Sequence, residues 1–324
     1  MLEHASLSHG LSARGGLHVV GTRLRLHPGA RTGVGWMAGL GPLPTGHARG
    51  LCAAELAPLL PSLRQRPFAV PWGKPFQLGR LTLALLPAGA GPGSSLLRLH
   101  VGGTTLLVAT GARPDALPLG AALEVREADV LVVDGAALQR PHTPISALDD
   151  LLTAAARHVA AGQPVDVLVE EASVALQLAA RWPADPLLLR ATADLRALCA
   201  RARSAGWTLP VPRPAVAGAE AALTLRAAPR SSRLAARTPD ALVFAVHGDA
   251  PAPSGAEAVR FHPAGTGSAL RDWIRRLGVA HVVVVARPGA AQGGADAASR
   301  RPSFLDLPAP RVTILEARSQ LDLW

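Results

Sequence analysis

Eleven histidines are spread through the 324 residues, and those with the strongest claim to chemistry are His47, His142, the triplet His247-Gly248-Asp249 and His262. Imidazole and carboxylate are ordinary ligands of Zn2+ and Mn2+, which need three or more donors converging at about 2.0–2.2 Å. His247-x-Asp249, at the end of an apolar run, is the most ligand-like of the set. No spacing among these residues reproduces a known metal loop, so ordinary loop histidines are the simpler reading. Glu170-Glu171 offers a carboxylate pair for acid–base work. Adjacent residues at a strand end point to opposite faces, however, and two solvated charges at a helix start fit better. The Gly-rich run from Pro87 to Ser94 and the pair Gly102-Gly103 lack the Gly-Lys-Ser/Thr of a phosphate loop and stand among strands. A nucleotide cofactor is not expected.

Arginine is the other functional candidate. The chain has 33 basic and 23 acidic side chains, a net charge of +10, and Lys74 is its only lysine. Together with abundant Ala, Gly and Pro this is the composition GC-rich coding produces, so part of the excess needs no selection for a polyanion. Arg190, Arg271, Arg275 and Arg276 are the expected phosphate contacts, within a wider scatter from Arg181 to Arg237 and at Arg300-Arg301. Binding through them would be salt-dependent and indifferent to sequence. Base-stacking platforms are scarce, because Tyr is absent and aromatics make up 3%.

Hydrophobic residues at 49% and charged residues at 17% exclude disorder along the whole chain, and the length suits about two domains. Cys52 and Cys199 are too few for a disulfide framework or a cysteine zinc site, and fit a reducing compartment. The longest uncharged stretch, Leu81 to Leu97, is broken by Pro87, Pro92 and several glycines and reads as no membrane span. With no charged-then-apolar signal pattern at the start, the expected location is cytoplasmic.

The elements that must position these residues follow from local pattern. Leu96–Val101 and Thr104–Thr110 flank Gly102-Gly103 as a hairpin. Ala128–Asp134 is continuously apolar, as a strand buried on both faces is. After His142 the rhythm changes: Thr143-Pro144 is expected to cap a helix ending near Gly162, followed by strand Val165–Val169, helix Ser173–Arg181, strand Pro186–Leu189 and helix Thr192–Gly206. Strand Ala241–Val246, helix Ser268–Leu277 stopped by Gly278, strand His281–Ala286 and strand Val312–Glu316 complete the chain, with a low-complexity loop over Pro288–Ser303. Strand–helix alternation implies a parallel α/β unit inserted into an outer α/β one.

Several stretches in order resemble the metallo-β-lactamase/β-CASP nucleases, specifically the bacterial DNA exonucleases associated with a DNA ligase and a helicase. They are LSARGGLHVV at 11–20, PWGKPFQLGRLTLALLPAGAGPGSS at 71–95, LHVGGTTLLVATG at 99–111 and ADVLVVDGAAL at 128–138. The middle of the chain adds AAGQPVDVLVEEASVALQLAARW at 160–182 and PADPLLLRATADLRALCARARSAGWTLP at 183–210, and the end adds SALRDWIRRLGVAHVVVVA at 268–286. The resemblance implies an α/β fold: a metallo-β-lactamase αββα sandwich over 1–140 and 245–324, with an inserted β-CASP-like α/β domain over 141–244.

Such enzymes hold two divalent metals, and at their ligand positions this chain departs almost everywhere. The first metal loop reads Pro42-Leu43-Pro44-Thr45-Gly46-His47, leaving His47 alone; the next reads Pro87-Ala88-Gly89-Ala90. The bridging Asp falls at Ala112, with Asp115 three residues too far on. Later positions read Phe261-His262-Pro263-Ala264-Gly265 and Ala286-Arg287-Pro288, and in the insert Val174-Ala175 and Arg190. Asp134 matches an acidic residue of the family and is expected to cap the following turn rather than support a metal. The resemblance thus carries the fold without the activity. The expected protein is a pseudoenzyme with no catalytic residue and no cofactor, an interaction or scaffold subunit for nucleic-acid processing or DNA repair. Its partners would be an active paralogue, DNA-repair proteins or nucleic acid, with no membrane. The alternative is a diverged exonuclease or phosphoesterase that holds Zn or Mn through His47, His247, Asp249 and His262.

Overall fold

The structure is a computed structural model that describes residues 10–12, 17–20, 22, 24–26, 34–40, 49–61, 66–215, 221–227, 240–247, 254–286, 311–315 and 320–322. It is a mixed α/β fold with three sheets. The first has the order β20-β1-β2-β3-β4-β5-β6, built from β1 (Gly10–Ser12), β2 (His18–Val19), β3 (Leu24–Arg25), β4 (Val34–Trp36), β5 (Arg49–Ala53), β6 (Phe68–Val70) and the last strand, β20 (Gln320–Asp322). The second begins with an antiparallel meander: β7 (Phe76–Leu78), β8 (Leu81–Pro87), β9 (Ser95–Val101) and β10 (Thr104–Val108). Gly102 and Gly103, both at positive φ, make the two-residue turn that pairs Thr104 with Val101, as the local pattern requires. From β10 the sheet continues in parallel through β11 (Val130–Asp134), β18 (His281–Val285) and β19 (Arg311–Leu315).

Alternation along these strands explains the layering. Leu83, Leu85, Leu97, Leu99, Val130 and Val132 share a core with Leu51 and Trp36 of the first sheet. Their neighbours Leu86, Leu96, Leu131, Val133, Val282 and Val284 face the other way, against α1 (Gly135–Gln139) and α5 (Gly267–Leu277). The Trp36 indole N–H donates to Ser95 Oγ at 3.3 Å, a buried tie between the two sheets. Helix α5 turns Leu270, Trp273 and Ile274 inward and stops at Gly278, which takes φ 63°.

The third sheet is wholly parallel, in the order β14-β13-β15-β12-β16-β17. Its strands are β12 (Val165–Val169), β13 (Leu189–Ala191), β14 (Arg213–Pro214), β15 (Leu223–Ala227), β16 (Leu242–His247) and β17 (Glu257–Arg260), with helices α2 (Ser146–Ala160), α3 (Ala172–Arg181) and α4 (Ala193–Ser204). Central β12 is buried at every position. Three expectations shift here. β16 and β17 pair within this sheet, so the expected boundary at 244/245 falls inside a strand and the chain leaves the unit only after Arg260. The expected strand Pro186–Leu189 is a 3-10 turn over Pro186–Leu188, capped by Asp185 Oδ1 accepting from Leu187 N, before the strand starts. Thr143 does not cap α2; its hydroxyl accepts from His262 N at 3.2 Å. The loop expected over Pro288–Ser303 lies outside the described residues.

Two glycines with left-handed φ separate conformational cost from close approach. At Gly278 an added Cβ meets open space, so Gly278→Ala should cost only the left-handed backbone, about 1–2 kcal/mol. At Gly89 the same atom would lie 2.2 Å from Arg113 O, so Gly89→Ala should cost distinctly more. Urea denaturation of the two variants checks the order. A second outcome concerns pH. His281 Nε2 lies 2.9 Å from Thr313 Oγ1, and burial, then the Arg311 charge, lower its pKa below the ordinary imidazole value of 6.5. The unfolded chain therefore takes up the proton first, and the stability this neutral ring allows is whole above pH 6.5 and lost as pH falls below it. His281→Asn should flatten that part of a stability–pH profile.

Candidate functional site

The chain crosses from the second sheet into the third through residues 140–145 and returns through 261–266, and the two crossings lie side by side. Thr266 Oγ1 donates to Pro141 O at 3.1 Å, and an added Cβ on Gly267 would lie 2.6 Å from Arg140 O. Two loops of the second sheet meet them. The loop after β8 and the loop after β10 are joined where Arg113 N donates to Ala88 O at 2.7 Å and Leu117 N to Gly89 O at 2.9 Å. Gly265 N donates to Ala112 O at 2.7 Å.

Arg113 stands at the centre of this junction, 1% exposed. Its Nη1 donates to His262 O at 2.5 Å, its Nη2 to Thr143 O at 3.0 Å and Asp115 Oδ2 at 2.8 Å, and its Nε to Asp115 O at 3.1 Å. The Phe261 ring lies 5.0 Å from the guanidinium carbon. Burial pushes the Arg113 pKa down from its ordinary value, and the Asp115 carboxylate opposes that shift. A rigid fork of donors suits this place, since one guanidinium reaches three segments that are distant in sequence. His142 Nε2 lies 3.8 Å from Asp115 Oδ2. Asp115 Oδ1 and His142 Nδ1 are buried without hydrogen-bond partners among the described residues.

His47 and Asp249 lie outside the described residues. His262 reaches the junction and is 5% exposed, its carbonyl bound to Arg113 and its N–H to Thr143. His247 ends β16, and both of its ring nitrogens are buried without partners among the described residues. No group of three His, Cys, Asp or Glu among the described residues is arranged to hold a metal. Ala90 and Ala112 have no side-chain donor, and Val174 and Ala175 are buried within α3. Asp134 caps α1, its Oδ1 accepting from Ala136 N at 3.0 Å. Glu171 takes the N-cap position of α3, without a side-chain cap bond.

The four arginines fall on two elements. Arg190 is half-buried on β13, in register with the exposed Arg213 of β14. Arg271, Arg275 and Arg276 ride on α5; Arg271 Nη1 donates to Leu138 O at 3.0 Å, Arg275 pairs with Asp272 at 2.6 Å, and Arg276 is exposed. Arg226, 9% exposed, is paired with the fully buried Asp166 at 3.0 Å inside the third sheet. The residue the sequence reading passed over is Arg113. Its signal was position: it directly follows Ala112, where the resemblance has the bridging Asp, and stands two residues before the displaced Asp115.

No family model matches the chain, and no curated protein matches it. Among solved structures it is similar to the crystal structure of a protein of unknown function from Enterococcus faecalis V583. The TM-score is 0.59 over 90% of this chain and 81% of that one, at 10% identity. At that identity the likeness speaks for the fold alone. No helix among the described residues is long and apolar enough to cross a membrane.

Removing the Arg113 side chain strands a carboxylate and three buried or half-buried carbonyls. Arg113→Met should cost about 3–5 kcal/mol in urea denaturation. Arg113→Lys should recover little, because one ammonium cannot span the same acceptors.

Proposed function

We propose that the chain is a catalytically silent relative of the metallo-β-lactamase/β-CASP nucleases, an αββα sandwich with a β-CASP-like insert in which a side-chain clamp takes the place of the metal centre. Its role is that of an interaction or scaffold subunit in nucleic-acid processing or DNA repair, beside an active relative or another repair protein. One observation carries the reading. By the resemblance, three of the loops that bear metal ligands in that family correspond to the segments after β8, after β10 and ahead of α5, and these meet at Arg113, the first through its backbone N–H and the last through its guanidinium. A fixed cation and two alanines are the reverse of what a pair of divalent ions requires, which is anionic and imidazole donors. The residues present do not fit a two-metal centre, and no step through one is derived.

Phosphate binding is the part of the role with support elsewhere in the fold. Arg190 and Arg213 are in register on adjacent parallel strands, two guanidinium groups on one sheet edge that suit a phosphate. The alternative, a rearranged hydrolase site, draws on His247, whose buried ring nitrogens would accept a ligand role.

Elemental analysis of protein purified without a metal-affinity tag, after incubation with Zn2+ and Mn2+, separates the two readings when run beside cleavage assays on DNA and RNA. The proposal expects a metal stoichiometry near zero and no metal-dependent cleavage. One or two tightly held ions per chain, with cleavage lost in His247→Ala, would replace it with the hydrolase.

A further inference from the structure

Away from the junction, a concavity opens between the edge of the first sheet and the inserted unit. After β5 the chain turns through Ala54 and Glu55 into a 3-10 turn, Ala57–Leu59, and opposite it stands the end of α4. Arg201 Nε donates to Leu59 O at 3.1 Å and holds the two walls together. The pocket between them measures about 510 Å³ and is lined by Ala54, Glu55, Pro58, Ala205, Gly206 and Trp207. That is within the roughly 300–1,000 Å³ of small-ligand sites.

Glu55 is the one charged residue among these six, and its Oε2 is buried without a hydrogen-bond partner among the described residues. A buried carboxylate oxygen left in that state is costly, and a donor arriving from a ligand would relieve it. The charge is felt inside the protein: burial, then Glu55, push the nearby Cys52 thiol up to about 12. On the opposite wall the C-terminal turn of α4 presents the negative end of a helix dipole. Trp207, whose backbone N–H donates to Ala202 O at 3.0 Å, supplies an indole, whose face attracts cations. Arg201, whose Nε donates to Leu59 O, and Arg203 also stand in that turn and carry positive charge.

We propose that this pocket binds a small ligand through a guanidinium or ammonium group, with Glu55 Oε2 as acceptor and the Trp207 indole as the flat wall. The site favours the charge opposite to a phosphate and does not depend on the Arg113 junction or on the role proposed above. Isothermal titration of the full chain with agmatine, which carries both cationic groups, tests it. Saturable binding is expected, weakened about tenfold or more in Glu55→Gln, as loss of one charge-assisted hydrogen bond implies. The neutral N-butylurea should give no saturable signal. Absence of saturable agmatine binding, equal binding by Glu55→Gln, or equal binding of N-butylurea would overturn the proposal. The agmatine and N-butylurea comparison on the unmodified chain decides the matter even if the variant fails to fold.

Discussion

One buried guanidinium organises the boundary between the outer and inserted units. Two chain crossings and two sheet loops must come together where the inserted unit leaves and re-enters, and each brings backbone carbonyls out of water. Arg113 answers several of these at once, because its guanidinium carries N–H donors and no acceptor lone pair. The cost of burying its charge is offset by Asp115, by three carbonyls and by the ring of Phe261. Glycines at 89, 265 and 267 then become necessary, since a side chain at any of them would strike the backbone that the clamp draws in. The junction is therefore a closed structural knot in which four segments are tied to one side chain and its backbone.

The rest of the fold is consistent with two units that move as little as their shared packing allows. A single buried cluster runs from Leu51 through Leu83 and Leu99 to Val165, Leu176 and Leu223, passing from the first sheet to the third without a break. Gln177 of α3, fully buried, accepts from Leu119 N at 3.4 Å and adds a polar tie between insert and outer unit. A cleft that opened and closed around a strand of nucleic acid would have to break such contacts.

Local features were legible in the sequence, and contacts between distant residues were not. The Gly102-Gly103 turn, the stop of α5 at Gly278 and the buried run of β11 each depend on neighbours within a few residues, and each lies where the pattern put it. β16 misled because an apolar run is equally at home in either parallel sheet; its pairing with β12 connects residues 77 apart, Val165 and Leu242. Thr143 reads locally as a helix cap, yet its hydroxyl serves His262, 119 positions away. Asp115 is only two residues from the guanidinium it serves, but that guanidinium is fixed by Thr143 O and His262 O, far along the chain. Of the candidate site, the identity of each residue is plain in the sequence, but the meeting of Arg113 with Thr143 and His262 is not, because it joins segments 30 and 149 residues apart.

The central claim is that the junction is occupied by the protein's own cation, and crystals soaked in Zn2+ or Mn2+ test it most directly by anomalous scattering. The account predicts no anomalous peak among Ala90, Ala112, His142 and His262, with the Arg113 guanidinium ordered between His262 O, Thr143 O and Asp115. A peak within bonding distance of His142 or His262, with Arg113 displaced, would contradict it.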